Sequence, residues 1–337
     1  MNKGIAIVGN LIVDHVKLID NYPAPGMLTN IRETSKCIGG CAGNTAADIA
    51  KIDPELNVVV IGKVGNDADG DYVKSTLSNL GVDIEGVITV DDADTSYTDV
   101  MSDTAAGERT FFQARGANAK FSISDIDFER LNVDIFHIGY ALLLDEFDKP
   151  DAEYGTVMAR FLKKVQDLGI KTSIDVVSDS GARFAEKVIP ALKYTDNAIM
   201  NEIEGCGVSG LKPRDESGRL IIENIKLTLQ KILDCGVRER AIIHCPEAGF
   251  VMNKSGEFIT VPSLKLPKGY IKGSVGAGDA FCAGCLYGIY NGLSDRDILE
   301  FASGAAACNL AAADSVSGMQ SKEYILDLIA KSEKVTL

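Results

Sequence analysis

Short β-type runs alternating with longer helical patterns predict an α/β fold, a three-layer αβα arrangement around a central, mostly parallel sheet. Two polar-alternating stretches, residues 16–38 and 85–114, break that alternation and predict a small β-sheet lid added outside the sheet. No Pro- or Ser-rich linker, low-complexity tract or internal repeat divides the chain, so residues 1–337 read as a single domain.

Candidate strands occupy residues 4–9 (GIAIVG), 58–62 (VVVIG), 133–138 (VDIFHI), 171–175 (KTSID), 198–200 and 240–244 (RAIIH). Between the third and fourth, Tyr154, Val157, Met158, Phe161, Leu162, Val165 and Leu168 recur at spacings of three and four, which makes one face of a helix. Gly169 stops it. Residues 277–290, 295–313 and 321–329 read as helices so rich in Gly, Ala and Cys that their backbones must pack closely. Both lid stretches follow early strands, so they can meet over the carboxyl ends of those strands, where such folds bind ligands.

With 46% hydrophobic and 24% charged residues, the chain is not disordered, collagen-like or coiled-coil. Its 34 Lys and Arg against 48 Asp and Glu leave a net charge of −14, which repels phosphate backbones and anionic lipid. No nucleic-acid or membrane partner is expected. Eight cysteines in a chain of this length read as reduced thiols, and the amino terminus is too short and polar for a signal peptide, so a cytoplasmic location is expected. The pairs Cys282/Cys285 and Cys37/Cys41 lack a second pair at zinc-ribbon spacing and read as packed thiols, and no zinc is expected. His15, His137 and His244 lie in no nucleophile motif and read as structural or pocket-wall residues.

The most informative segment is residues 273–281, GSVGAGDAF, a glycine-rich turn opening a helix. Glycines at 276 and 278 let backbone N–H groups approach an anion, which the helix dipole favours. Taken alone, Asp279 could equally be a first-turn carboxylate that stabilises the helix. Residues 37–46, CIGGCAGNTA, make a second glycine-rich entry into a helix over 44–52.

Together these segments resemble the signatures of the ribokinase-like carbohydrate kinases, the PfkB family. Gly39, Gly40, Asn44 and Ala46 match the first signature; Gly276, Ala277, Gly278 and Asp279 match the second, Asp-Thr-x-Gly-Ala-Gly-Asp. Gly9-Asn10 with Asp14, Gly65-Asn66-Asp67 with Gly70-Asp71, and Asn201-x-x-Glu204 follow in family order. The resemblance spans about residues 4–318 and accounts for the two insertions as the family's lid.

The resemblance implies a ribokinase-like fold and ATP-dependent phosphorylation of a hydroxyl, usually a primary alcohol, on a sugar or a nucleoside. It implies that Asp279 orients the acceptor hydroxyl and takes its proton, and that the N–H groups of Gly276, Ala277 and Gly278 form an anion hole. Asn201 and Glu204 would organise Mg²⁺ through its waters beside the ATP phosphates. Asp14, Gly39, Gly40 and Asn44 fall at sugar-contacting positions, and Asn118, on the return from the lid, would face the substrate. Asn201, Gly249 and Gly278 fall on the nucleotide side. Pairing of lids between chains would make a homodimer.

Three departures qualify the expectation. Gly273 stands where relatives carry an Asp that supports a monovalent cation, which puts K⁺ activation in doubt. The nucleotide loop, usually Thr-x-Gly-x-x-Gly, is His244-Cys245-Pro246-Glu247-Ala248-Gly249 and keeps only the last glycine. Cys41 stands where phosphosugar kinases and ribokinase carry Lys, so a neutral, unphosphorylated acceptor is expected, with Arg32, Lys36, Arg109 and Arg115 of the lid as the cations an acidic one would need. A nucleoside kinase would instead stack a base on Tyr22, Tyr97 or Phe112. A dinucleotide-dependent oxidoreductase is disfavoured because residues 9–14 lack G-x-G-x-x-G. Retention of Asp279, Asn201 and Glu204 disfavours a non-catalytic sugar-binding regulator.

Overall fold

In the computed structural model, which describes residues 3–103, 109–178 and 183–337, β1 (Ile5–Gly9) leads into β2 (Ile12–Ile19), β3 (Ile31–Gly39), α1 (Cys41–Ile52), β4 (Val58–Gly65), α2 (Ala68–Asn79) and β5 (Asp83–Val90). β6 (Tyr97–Asp103), β7 (Arg109–Ala114) and β8 (Ile135–Ala141) follow, then a short hairpin of β9 (Pro150–Asp151) and β10 (Gly155–Thr156). Next come α3 (Val157–Asp167), β11 (Lys171–Val176), α4 (Ile189–Leu192), β12 (Asn197–Asn201), α5 (Glu202–Ser209) and α6 (Ile222–Asp234). The chain closes with β13 (Arg240–His244), β14 (Ala248–Asn253), β15 (Phe258–Pro262), α7 (Ala277–Tyr290), α8 (Asp295–Asn309) and α9 (Lys322–Lys331).

Among the described residues the main sheet has nine strands in the order β15-β14-β13-β12-β11-β8-β1-β4-β5. Pairing is parallel from β5 through β13, and antiparallel where β14 and β15 extend the edge. The period of two explains the layers. Ile5 and Ile7 of β1 pack into one core with α1, α7 and α8, whereas Ala6 and Val8 pack into a second core with α3 and α6. A strand buried on both faces must be apolar throughout, as IAIVG is. The helix expected from the 154–168 periodicity is α3, capped by Thr156, whose Oγ1 accepts from Ala159 N–H, and followed by Gly169 at φ 76°.

A separate four-stranded sheet has the order β3-β2-β6-β7. It begins at Ile12 rather than residue 16, and β2 and β6 pair in parallel. The stretch 85–90 does not belong to it: β5 pairs in parallel with β4 at the edge of the main sheet. An edge strand is covered incompletely, which gives β5 the half-polar alternation that imitates a lid strand. Residues 104–108 of the second stretch lie outside the described residues. The last turn expected of the 295–313 helix is absent, because α8 ends at Asn309 and the Leu310 carbonyl accepts from Lys272 N–H at 2.9 Å. No helix among the described residues is long and apolar enough to cross a membrane.

Candidate active site

Asp279 sits in the first turn of α7, buried, with both carboxylate oxygens engaged. Asn44 Nδ2 donates to Oδ2 at 2.8 Å and the Tyr140 hydroxyl donates to Oδ1 at 2.6 Å. Burial raises the Asp279 pKa, and the two donors pull it back. Burial and the neighbouring Asp279 also hold the Tyr140 phenol far above its usual range, so it remains a donor. Gly276 forms the N-terminal boundary of α7 at φ 76°, and a Cβ there would lie 2.3 Å from the Ser315 carbonyl oxygen. Only glycine passes that turn. α7 opens with no side-chain cap; Ala277 N–H donates to the Ser274 carbonyl at 3.4 Å, and the N–H groups that follow in the first turn, with the positive end of the dipole, are available to an anion. His244 stacks on Phe281 at 4.7 Å between ring centroids and borders the turn, since a Cβ on Gly278 would lie 3.4 Å from its Cε1. Burial pulls its pKa down to about 4, which keeps the ring neutral.

The first glycine-rich segment meets this turn through Asn44. Gly40, at φ 79°, brings its backbone so close to Asn10 that a Cβ would lie 2.4 Å from the Asn10 carbonyl oxygen. Gly39 lies against Asp14, where a Cβ would meet Oδ2 at 2.7 Å. Asp14 belongs to β2. Its pKa is pushed up to about 6 mainly by burial, with a Thr98 hydrogen bond opposing, the Asp279 charge adding to the rise and His15 lowering it. Asn44 Oδ1 is buried with no hydrogen-bond partner among the described residues, although its amide nitrogen is held by Asp279.

Asn201 and Glu204 form a capping box at the start of α5. Asn201 Oδ1 accepts from the N–H groups of Ile203 and Glu204, while Glu204 Oε2 accepts from Asn201 N–H at 2.8 Å. Glu204 is buried, not part of a surface loop, and Glu202 pairs with Arg214 at 2.9 Å. Burial pushes the Glu204 pKa up to about 7 against the Asn201 N–H and Ser178 hydroxyl bonds, with Asp279 and Glu202 adding to the rise. Asp175, at the end of β11, is raised by burial and by the charges of Glu204 and Asp279. Negative charge crowded at Glu204 and Asp175 is what a divalent cation relieves, and Asn201 and Glu204 supply hard oxygens, so the residues fit Mg²⁺.

Several expected contacts take other roles. Asn118 is buried and engaged with backbone: its Oδ1 accepts from Leu11 N–H and its Nδ2 donates to the Leu11 carbonyl, bracing the β1–β2 connection. Gly249 is buried in β14, where a Cβ would press on Phe281 and Leu299, so packing by itself asks for glycine there. Asp67, from the third matching segment, caps α2 by accepting from Gly70 N–H. Of the four cations an acidic acceptor would need, three are paired, Arg32 with Asp20, Lys36 with Asp69 and Arg115 with Asp145. Register puts Tyr97 and Phe112 on the same face of the small sheet as His15, and the Tyr97 and His15 rings meet at 5.8 Å. Asp14, Thr98, Gln113 and the exposed Phe111 occupy the opposite face.

Tyr140 and Asp175 escaped the sequence reading. Both stand at or beside the carboxyl end of a parallel strand, the position that marks ligand sites in such sheets, and that was their available signal.

Residues 2–322 match the family model described as pfkB family carbohydrate kinase. The chain is 24% identical over 332 residues to the bifunctional ribokinase/ribose-5-phosphate isomerase A of Fructilactobacillus sanfranciscensis, covering 98% of this chain but only 57% of that protein. Its fold superposes with a TM-score of 0.80 on Arabidopsis thaliana ribokinase complexed with ribose and ATP, at 20% identity and covering 98% and 99% of the two chains. The Methanocaldococcus jannaschii nucleoside kinase, described as an archaeal member of the ribokinase family, superposes with a TM-score of 0.76 at 19% identity, covering 98% of each chain. Fold, signature turns and the length of the match agree, and the chain belongs to the pfkB family of carbohydrate kinases.

Proposed function

We propose that the protein transfers the γ-phosphoryl group of ATP to a hydroxyl, a primary alcohol as the family resemblance implies, of a small unphosphorylated sugar. The observation that carries this reading is the Asp279 carboxylate, buried at the uncapped start of α7 and oriented from two sides by Asn44 and Tyr140. The acceptor hydroxyl donates to Asp279, its oxygen attacks the γ-phosphorus, and the bond from that phosphorus to the β–γ bridging oxygen breaks to release ADP. An aspartate is a weak base for an alcohol, so the proton reaches Asp279 late, as the ester forms. The N–H groups of Gly276, Ala277 and Gly278 hold the transferring group.

On the acceptor side, Asp14 and the unpartnered Asn44 Oδ1 accept from sugar hydroxyls, and Gly39 and Gly40 let the ring lie against backbone. Asn201 and Glu204 would hold Mg²⁺ through its waters. When bound, the ion neutralises charge on the ATP phosphates. A neutral acceptor is supported by the pairing of Arg32, Lys36 and Arg115 and by the burial of Cys41.

A nucleoside acceptor is the second reading. It is favoured by Phe111, 57% exposed on the Asp14 face of the small sheet, where a base could stack. The small sheet then acts as the lid, and lids of two copies pair through the edge strands β3 and β7. Light scattering that finds only a 36.0 kDa monomer would dispose of that dimer. A cytoplasmic location agrees with eight cysteines that form no disulfide.

The test is ADP release from Mg-ATP with a panel of neutral pentoses, hexoses, inositols, nucleosides and phosphorylated sugars. Turnover with a neutral sugar supports the first reading, and turnover with a nucleoside alone moves the assignment to the second. Silence across the panel rejects both.

A further inference from the structure

Beneath the catalytic turn lies a buried set of side chains that the phosphoryl-transfer reading leaves unused. Cys41 opens α1, His137 is central in β8, Asp175 ends β11, and Cys282 lies one turn after Asp279 in α7. Cys41 and His137 are 0% exposed, Cys282 1% and Asp175 8%. His137 Nε2 lies 3.4 Å from Cys41 Sγ and 3.6 Å from Cys282 Sγ. One ligand atom each from Cys41, His137 and Asp175 falls within 4.8 Å of the others.

We propose that Cys41, His137, Asp175 and Cys282 form a closed tetrahedral site for a thiophilic divalent metal of the zinc type, structural and separate from the Mg²⁺ of phosphoryl transfer.

Distances carry the argument first. Zinc bonds of about 2.3 Å to sulfur and about 2.0–2.1 Å to imidazole nitrogen, opened to the tetrahedral angle, put the two ligand atoms about 3.6 Å apart. Both sulfur-to-nitrogen separations match that edge; Cys41, His137 and Asp175 are mutually close, and Cys282 joins them through its 3.6 Å approach to His137 Nε2.

The surroundings orient the imidazole and the carboxylate, while burial and the charges of Asp175 and Asp279 hold the Cys41 and Cys282 thiols well above their usual range, so the metal itself must displace their protons. His137 Nδ1 meets the buried Ser173 hydroxyl at 3.0 Å, the outer partner that fixes ring orientation and directs Nε2 to the metal. Burial pulls the His137 pKa down to about 3, so the ring is neutral, as a ligand must be. One Asp175 oxygen is held by Val176 N–H at 2.8 Å, which leaves the other for coordination. At Gly139 a Cβ would lie 2.6 Å from Cys41 Sγ and 3.2 Å from Asp175 Cβ, so a glycine here gives the sulfur its place against the backbone. Each ligating thiol gives its proton to solvent, so loading releases two protons, and a third where the Asp175 carboxyl enters protonated. The metal ties α1, β8, β11 and α7 together directly under Asn44 and Asp279. No spacing rule exposes the set, because its members stand at 41, 137, 175 and 282.

The test uses the full chain, stripped with chelator under a phosphine reductant and loaded with Zn²⁺ or Co²⁺ alone, and it reads binding without reference to kinase activity. The expected result is one equivalent of Zn²⁺ per chain and, with Co²⁺, thiolate-to-metal charge transfer together with tetrahedral ligand-field bands. Cys41→Ala and Cys282→Ala are expected to abolish both signals, whereas Cys285→Ala, equally buried in α7 but outside the set, keeps them. An octahedral cobalt spectrum without charge transfer, or equal loss in Cys285→Ala, overturns the site. Zinc X-ray absorption of the wild-type chain removes dependence on the variants: two sulfur neighbours at about 2.3 Å support the proposal and an all-oxygen shell rejects it.

Discussion

The Asn44 amide donates to Asp279 Oδ2 at 2.8 Å, joining residues 235 positions apart and locking the start of α1 to the start of α7. The two glycine-rich segments are thereby held in one geometry. Asp279→Asn keeps the shape of this contact but removes the base, so kcat should fall by about 10²–10⁴ while the melting temperature stays near that of the wild type. Near-wild-type turnover in a folded Asp279→Asn protein would take Asp279 out of the proton transfer.

Tyr140 gives a subtler readout because its hydroxyl lowers the Asp279 pKa against the rise that burial causes. Tyr140→Phe deletes that donor, so the Asp279 pKa moves further up. Activity that needs the carboxylate is lost as pH falls through this pKa, so the acid limb of the kcat profile should shift to higher pH. An acid limb that stays in place would mean that Tyr140 only fills space.

The parallel strands and the two glycine-rich turns were legible because each is a local signal: apolar runs for buried strands, and glycines where backbone must approach closely. Asn201-x-x-Glu204 was legible as a pattern, yet its capping box and its burial were not, since burial depends on what packs over α5. Asn118 shows the same limit from the other side. A polar residue after the lid suggests a ligand contact, but only the fold reveals that Leu11 uses its whole amide. Tyr140 and Asp175 carry no motif, and they enter the site because parallel strands end there.

Side-chain alternation on the small sheet separates two adjacent aromatics. Phe111 shares the face of Asp14 and Thr98, whereas Phe112 shares that of His15. Phe111→Ala should raise the acceptor KM and leave the ATP KM unchanged, with Phe112→Ala near wild type in both. Equal effects of the two substitutions would show that the sheet does not close with its Asp14 face on the acceptor.

Gly273 makes a statement about monovalent cations. A Cβ at this position would lie 2.8 Å from the Ala313 carbonyl oxygen and 3.1 Å from that of Ala312, so no carboxylate fits beside those carbonyls without a shift. Turnover should be the same in potassium and in tetramethylammonium salts at equal ionic strength. A clear stimulation by potassium would require another carboxylate to serve the carbonyls of this loop.

Glu204 links the site to stability. Its carboxyl is raised from 4.5 to about 7, chiefly by burial, so the folded chain holds this proton more tightly than the unfolded chain does. The resulting stabilisation is fully present below pH 4.5 and is lost as pH rises through about 7. Glu204→Gln has no proton to lose, and its amide oxygen can still accept from Asn201 N–H, so its melting temperature minus that of the wild type should climb across this window and level off above it. A difference that ignores pH would place the Glu204 pKa at its ordinary value. The same variant removes the negative charge next to Asp175 and Asp279, so the Mg²⁺ concentration needed for half-maximal activity should rise even where stability improves. A site residue whose removal strengthens the fold and weakens the chemistry is what Glu204 predicts, because the buried charge that costs stability, raised further by Asp279, is also what the cation relieves.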